Sequence, residues 1–243
     1  MPFSPKRIAV FGASGAIGSA FAQECLDRYG TAKVFCFARS PERIPKHDRI
    51  ESHAFSLEDL ESLQANAEAI KAVGGLDLIF VPTGQLHSAT AKPEKTMRSL
   101  SIASMEETLH TNTILPAMIM KHFLPLLSKH KKAVFAAISA RVGSVSDNYL
   151  GGWYSYRASK AALNMLIRCA AIEMQRTHQS SVVIGVHPGT VDSDLSKPFQ
   201  RNIPEGQMMR PAKSAAMLLD VISKVDQSQT GKCLAYDGTE ILP

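Results

Sequence analysis

The chain has no CxxC pair. Its four cysteines, Cys25, Cys36, Cys169 and Cys233, stand far apart, which predicts reduced thiols and a cytoplasmic setting. Its eight histidines include no two placed three or four residues apart and no HExxH, so no metal site is expected. No apolar run approaches the roughly 18 residues of a membrane span; Ala133–Ile138 is typical. The stretch from Met1 to Arg7 lacks the apolar region of a secretory leader. Repeats, linkers and low-complexity tracts are also missing, so a single domain over residues 1–243 is expected. What remains is globular: 243 residues, 45% hydrophobic and 20% charged, enough for a sizeable core. A net charge of +5 suits an anionic ligand but gives no footprint for nucleic acid. The densest basic cluster, Lys129-His130-Lys131-Lys132, reads as a solvated helix end.

Short β-rich runs alternate with longer helical patterns. Strands are expected at 7–13, 33–39, 50–56, 76–82, 133–139, 181–187 and 233–237. Helices are expected at 14–29 (stopped by Gly30), 57–73, 102–128 (bent at Pro116), 154–179 and 211–224. Residues 188–209 read as irregular. The strands are continuous apolar runs, which implies cover on both faces. With right-handed βαβ crossovers this gives an α/β doubly wound parallel sheet of about seven strands with helices on both faces, a three-layer Rossmann fold. Ligands of such sheets bind beyond the carboxyl ends of the strands.

The first strand ends in Gly12-Ala13-Ser14-Gly15-Ala16-Ile17-Gly18. Glycines there permit a tight turn and a close approach of backbone amides to a pyrophosphate, with the helix N-terminus behind them. The strand–turn–helix context is what that reading requires. A nucleophile elbow at Ser14 is the competing reading, but Ala16 stands where its second glycine belongs. An NAD site usually carries an acid about 20 residues on, to hold the ribose 2′-hydroxyl. Here the second strand ends Phe37-Ala38-Arg39-Ser40 with no acid from Lys33 to Ser40. Arg39 would pair with a 2′-phosphate that a carboxylate would repel, so NADP(H) is favoured over NAD(H), with Arg43 a second candidate cation.

Tyr156 and Lys160 are four apart on a predicted helix and share a face. A free phenol titrates near 10, and an adjacent ammonium would lower it into the range of a general acid or base. Tyr29 and Lys33 have the same spacing, but a helix end separates them. Ser139 ends the fifth strand, where its hydroxyl would meet a carbonyl substrate. Asn112, a poor helix former, sits inside a long helical pattern and calls for a packing or polar reason.

In order and position these features resemble the short-chain dehydrogenase/reductases, over essentially the whole chain. The nearest likeness is to the C-factor-like proteins and Sniffer-type carbonyl reductases. Gly12, Gly15 and Gly18 place glycines in the region of the family's TGxxxGxG turn. Asn112, Ser139, Tyr156 and Lys160 match its catalytic tetrad, and His187-Pro188-Gly189-Thr190-Val191 its PG motif. The resemblance implies hydride transfer between a nicotinamide and a carbonyl or secondary alcohol. Tyr156 would be the proton donor, Lys160 would tune it and hold the ribose, Ser139 would orient the carbonyl, and Asn112 would hold a relay water. A non-catalytic dinucleotide-binding protein on the same fold is the alternative.

The resemblance also implies a cofactor site of Gly12, Ser14, Gly15, Ile17, Gly18, Arg39, Ser56, Leu57, Thr83, Gly84, Tyr156, Lys160, Pro188, Gly189, Thr190 and Val191. Two places depart from the family. Val81-Pro82-Thr83-Gly84 replaces NNAG, and Ser56 stands where an acid often meets the adenine. Segments 84–99, 140–153 and 192–209 should rim a substrate pocket, with Leu86, His87, Val142, Tyr149, Trp153 and Leu195 as its wall. Residues 192–209 resemble a substrate lid. A homodimer or homotetramer through helices 102–128 and 154–179 is implied. Neither a nucleic-acid nor a membrane partner is expected.

Overall fold

In the computed structural model, residues 2–56, 59–88, 92–204 and 206–243 are described. Among the described residues ten strands form: β1 Arg7–Phe11, β2 Lys33–Ala38, β3 Ile50–Ala54, β4 Leu78–Val81, β5 Ala133–Ile138, β6 Ser181–His187, β7 Thr190–Val191, β8 Met208–Met209, β9 Cys233–Ala235 and β10 Glu240–Ile241. Eight of them make one sheet in the order β10-β9-β6-β5-β4-β1-β2-β3. All its neighbours run parallel except the β10–β9 edge. The chain winds from β1 out to β3, then returns to β4 on the other side of β1. That reversal leaves a crevice at the carboxyl ends of β1 and β4.

Alternate residues of each strand feed two cores. Ile8, Val10, Phe80, Val134, Ala136 and Ile184 pack under α1 (Ala16–Arg28) and α6 (Pro211–Lys224). Ala9, Phe11, Ile79, Phe135, Ala137 and Val183 pack under α2 (Leu60–Ala72), α4 (Leu115–Phe123) and α5 (Tyr154–Thr177). Phe21 of α1 stacks on Phe80 at 3.8 Å between centroids; Phe11 stacks on Phe37 at 4.4 Å. Burying side chains of this size contributes about 1.5–3 kcal/mol each.

The structure corrects several expectations. The helix predicted over 102–128 is three pieces: α3 (Ile102–Leu109), a π turn (His110–Ile114) and α4, followed by a 3₁₀ turn at Leu124–Leu126. Pro116 is the second residue of α4, directly after the π turn. The basic cluster is not a helix end. Lys131 pairs with the buried Asp77 at 2.8 Å, and Lys132 donates to the Ser223 carbonyl at 2.8 Å. The eighth sheet strand and the small β7–β8 sheet escape sequence reading because two residues carry no periodicity. α1 ends at Arg28 with Tyr29 as its C-cap, its N–H on the Cys25 carbonyl, and Gly30 follows directly without a positive φ. Of the helix expected from residue 57, the described part begins at Leu60; Leu57 lies outside the described residues. No helix among the described residues is long and apolar enough to cross a membrane.

Candidate active site

The glycine-rich turn is held shut by backbone. Gly12 takes φ 82°, and the N–H groups of Gly12 and Ala13 both donate to the Phe37 carbonyl, at 2.7 and 3.1 Å. A Cβ at Gly18 would run into the Gly12 carbonyl oxygen, so that position admits only glycine. Gly15 caps α1 without a side-chain bond, leaving first-turn N–H groups available to an anion. Beyond the turn lies a cleft of about 390 Å³, open at the ends of β1 and β4. It gathers Gly12, Ser14, Gly15, Arg39, Ser56, Thr83, Gly84, Leu86, His87 and Leu195 from the expected set. Gln85, His110 and Thr111 line it as well; sequence reading passed over them, and only their neighbourhood to Gly84 and Asn112 marked them.

Some expected residues stand elsewhere. Ile17 packs on the core beneath α1, and Gly18 serves the turn rather than the cleft. Arg43 is exposed in a 3₁₀ turn and does not line the cleft. Pro188, Gly189, Thr190 and Val191 also lie off its wall. The Pro188 carbonyl accepts from Ser214 at 2.8 Å, and Thr190 and Val191 pair with Met208 and Met209 as the base of segment 192–209. The Ser14 hydroxyl makes no hydrogen bond to a histidine or carboxylate among the described residues, so the nucleophile-elbow reading gains nothing.

Tyr156 and Lys160 stand one turn apart near the start of α5, both buried. Lys160 Nζ donates to the Ile138 carbonyl at 2.8 Å and lies 5.9 Å from the Tyr156 ring centroid. Burial pushes the Tyr156 phenol up to about 12 and the Lys160 ammonium down to about 8. The expected lowering of Tyr156 by Lys160 is not seen; burial alone sets the direction of its shift.

Asn112 sits in the π turn, a geometry that widens the helix and recurs at functional sites. Its Nδ2 donates to the Gln85 carbonyl at 2.8 Å and to Ser159 Oγ at 3.0 Å; its Oδ1 accepts the Gln85 N–H at 2.8 Å. That is the reason for asparagine inside a helix: it ties the chain after β4 to α5. A Cβ on Gly84 would lie 3.6 Å from Lys160 Nζ and 3.7 Å from Asn112 Oδ1, so this backbone runs in contact range of the pair.

Ser139 departs from its expected role. It continues the face of β5 that carries Phe135 and Ala137, and its hydroxyl donates to Asn164 Oδ1 at 2.6 Å. Ala140, one residue later, is what clusters with Tyr156 and Leu86. Val142, Trp153, Leu195 and Phe199 complete this apolar wall. The Trp153 ring stands edge-on to Tyr156 at 6.2 Å and 5.4 Å from Phe199. His87 lies 6.0 Å from Phe199, with Nε2 3.1 Å from the Asp194 carbonyl oxygen, so it belongs to the rim. Tyr149 does not join the wall; it is 87% exposed. Phe199 was missed, although it is the one aromatic residue in the expected lid.

A Rossmann sheet with a glycine turn, a buried Tyr-x-x-x-Lys pair and a bracing asparagine defines a nucleotide-dependent oxidoreductase site. The chain belongs to the short chain dehydrogenase family, which matches residues 6–204. An uncharacterized oxidoreductase of Schizosaccharomyces pombe is 28% identical over 259 residues, 99% of each chain. The structure of an NADPH-bound carbonyl reductase from chicken fatty liver superposes with a TM-score of 0.85 at 25% identity, covering 99% of this chain and 95% of that one. The carbonyl reductase Sniffer of Drosophila melanogaster shares the fold, with a TM-score of 0.84 at 23% identity over 98% and 99% of the two chains.

Proposed function

We propose that this protein is an NADP(H)-dependent carbonyl reductase in which Tyr156 is the proton donor. The observation that carries the reading is the cleft itself, with Arg39 at one end and the Tyr156–Lys160–Asn112 group behind its other wall. A dinucleotide fits the residues present. The glycine turn forms a cradle that side chains would fill, and Thr83 Oγ1 is buried on the cleft wall with no hydrogen-bond partner among the described residues. Arg39 is exposed at the end of β2 and makes no ion pair among the described residues. It is free to take a 2′-phosphate.

When bound, the nicotinamide supplies the hydride. The chain's residues do the rest. Tyr156, protonated throughout the neutral range, delivers its phenolic proton to the carbonyl oxygen as negative charge develops there. Lys160 stabilises the phenolate left behind. Asn112 and Gly84 hold the backbone close to Lys160, and the wall of Leu86, Trp153 and Phe199 keeps water from the reacting carbon. The substrate class that suits such a wall is an apolar aldehyde or ketone. The experiment that tests the reading is titration of the purified protein with NADPH and with NADH, followed by nicotinamide fluorescence. Tighter NADPH binding, with NADPH consumed when apolar carbonyls are added, is expected; binding of neither dinucleotide would overturn it.

Ala140 beside Tyr156 is the observation that favours a second reading, a dinucleotide-binding protein without turnover. It also yields a prediction. Ser139→Ala should leave kcat/KM within about threefold, since its hydroxyl faces Asn164, while costing about 0.5–1.5 kcal/mol of stability for the lost part-buried hydrogen bond. Ala140→Ser adds a donor at the carbonyl and should raise kcat/KM about tenfold. A large rate loss in Ser139→Ala would return the hydroxyl to the chemistry.

The pH profile follows from Lys160. Its charge is present below about 8 and lost above. kcat/KM for NADPH at saturating carbonyl reports the free enzyme and should fall above that pH. Lys160→Arg should remove this limb, and a flat profile to pH 10 would refute the assignment.

Assembly through the long helices is part of the proposal, with α3 and α4 in place of one continuous helix. Ile102, Ile114, Met165 and Ile172 are exposed on α3, the π turn and α5. Light scattering at micromolar concentration should give a dimer or tetramer; a monomer mass would contradict it.

A further inference from the structure

Glu94 has no part in the chemistry above, yet its side chain is buried, 3% exposed. Its carboxylate accepts from the Ser155 N–H at 3.2 Å and from the Ser155 hydroxyl. Its own carbonyl accepts from the Trp153 N–H at 2.5 Å. A carboxylate is tolerated in such a place only where donors replace water. Here the donors are at the N-terminus of α5, whose first N–H groups lack intrahelical partners and whose dipole favours negative charge. The helix has no cap of its own, since its N-cap residue is Trp153.

Trp153 is also strained. It is the one non-glycine residue at positive φ among the described residues, at 51°, following Gly151 and Gly152 at 62° and 65°. A bulky residue stays there only when its surroundings impose it. The surroundings are the Glu94 carbonyl and Arg157, whose Nε donates to the Gly152 carbonyl at 3.0 Å. The result is an indole edge-on to Tyr156 and against Phe199. The segment bearing Glu94 is anchored nearer β4 as well, by Gln85 and Ser88 to Glu107 at 2.6 and 3.2 Å.

We propose that Glu94 is a positioning residue that clamps the start of α5 and fixes Trp153 as the wall against which the carbonyl's apolar substituent lies. The inference rests on the carbonyl-reductase reading for its kinetic consequence, but not for its structural one. Trp153 is the only tryptophan in the chain, so intrinsic fluorescence reports this wall alone.

Glu94→Ala, Glu94→Gln and Ser155→Ala are compared with the unaltered protein by Trp153 emission, acrylamide quenching, NADPH affinity, and kcat and KM with 4-nitrobenzaldehyde. In Glu94→Ala the emission is expected to shift to the red and quenching to rise. kcat should fall about tenfold or more through misplacement of Tyr156 and the wall, with NADPH affinity unchanged. Glu94→Gln, whose amide oxygen still accepts the Ser155 N–H, should recover part of both signals. Should Glu94→Ala not fold, the same shifts in Glu94→Gln and Ser155→Ala decide the matter. Folded variants with the emission, quenching and kcat of the unaltered protein would overturn the proposal. If the unaltered protein reduces no carbonyl, the functional reading fails, while the fluorescence still tells whether Glu94 holds Trp153.

Discussion

Tyr156→Phe is expected to lower carbonyl reduction by about 10²–10⁴-fold while leaving NADPH binding intact. The phenol is the group that burial keeps protonated, pushed up to about 12. That is the correct state for a donor in the reductive direction, because the proton leaves only as the carbonyl oxygen gains charge. Phenylalanine keeps the ring that packs on Trp153, Leu86 and Ala140, so the fold should persist and the loss should fall on kcat. Steady-state kinetics with NADPH fluorescence titration alongside separates the two. A variant that retains full turnover would remove Tyr156 from the chemistry. One that loses NADPH affinity in proportion would make its role a binding role.

Arg39→Ala should weaken NADPH about 10–100-fold and leave NADH unchanged. Charge-assisted hydrogen bonds of the kind a guanidinium makes to a phosphate contribute about 1.5–3 kcal/mol. Arg39 is exposed and makes no ion pair among the described residues, so its removal takes nothing from the fold. Fluorescence titration of both cofactors reads the effect directly. Equal weakening of NADH and NADPH would show that the 2′-phosphate lies elsewhere, and Arg43, in the adjoining 3₁₀ turn, would be the next cation to test.

Much of the fold is legible because its central strands β1, β4, β5 and β6 are buried runs. Residues 181–187 and 211–224 were read with the bounds β6 and α6 have. The glycine turn and the Tyr156–Lys160 pair were legible because each demands a residue type at a fixed spacing. What escaped has physical reasons. Ser139 and Ala140 are neighbours at a strand end, and only the phase of the pleat decides which meets the pocket. In a run of small and apolar residues such as β5 that phase leaves no trace. The π turn around Asn112 changes the winding of a helix without changing its composition. Asn112 itself was the one hint, and the three hydrogen bonds it makes explain it. Tyr149 and Phe199 lie in segments without periodicity, where nothing in the sequence separates an exposed ring from a buried one.

In the proposed reaction Tyr156 gives its proton to a carbonyl that a bound nicotinamide would reduce. The direct measurement uses NADPH deuterated at the reactive carbon with an apolar aldehyde, reading the alcohol by mass spectrometry. Deuterium at the carbinol carbon with the unaltered protein, and almost none with Tyr156→Phe, is the predicted result. No labelled alcohol from any of a broad set of carbonyls, despite tight NADPH binding, would contradict it and leave a dinucleotide-binding protein without turnover.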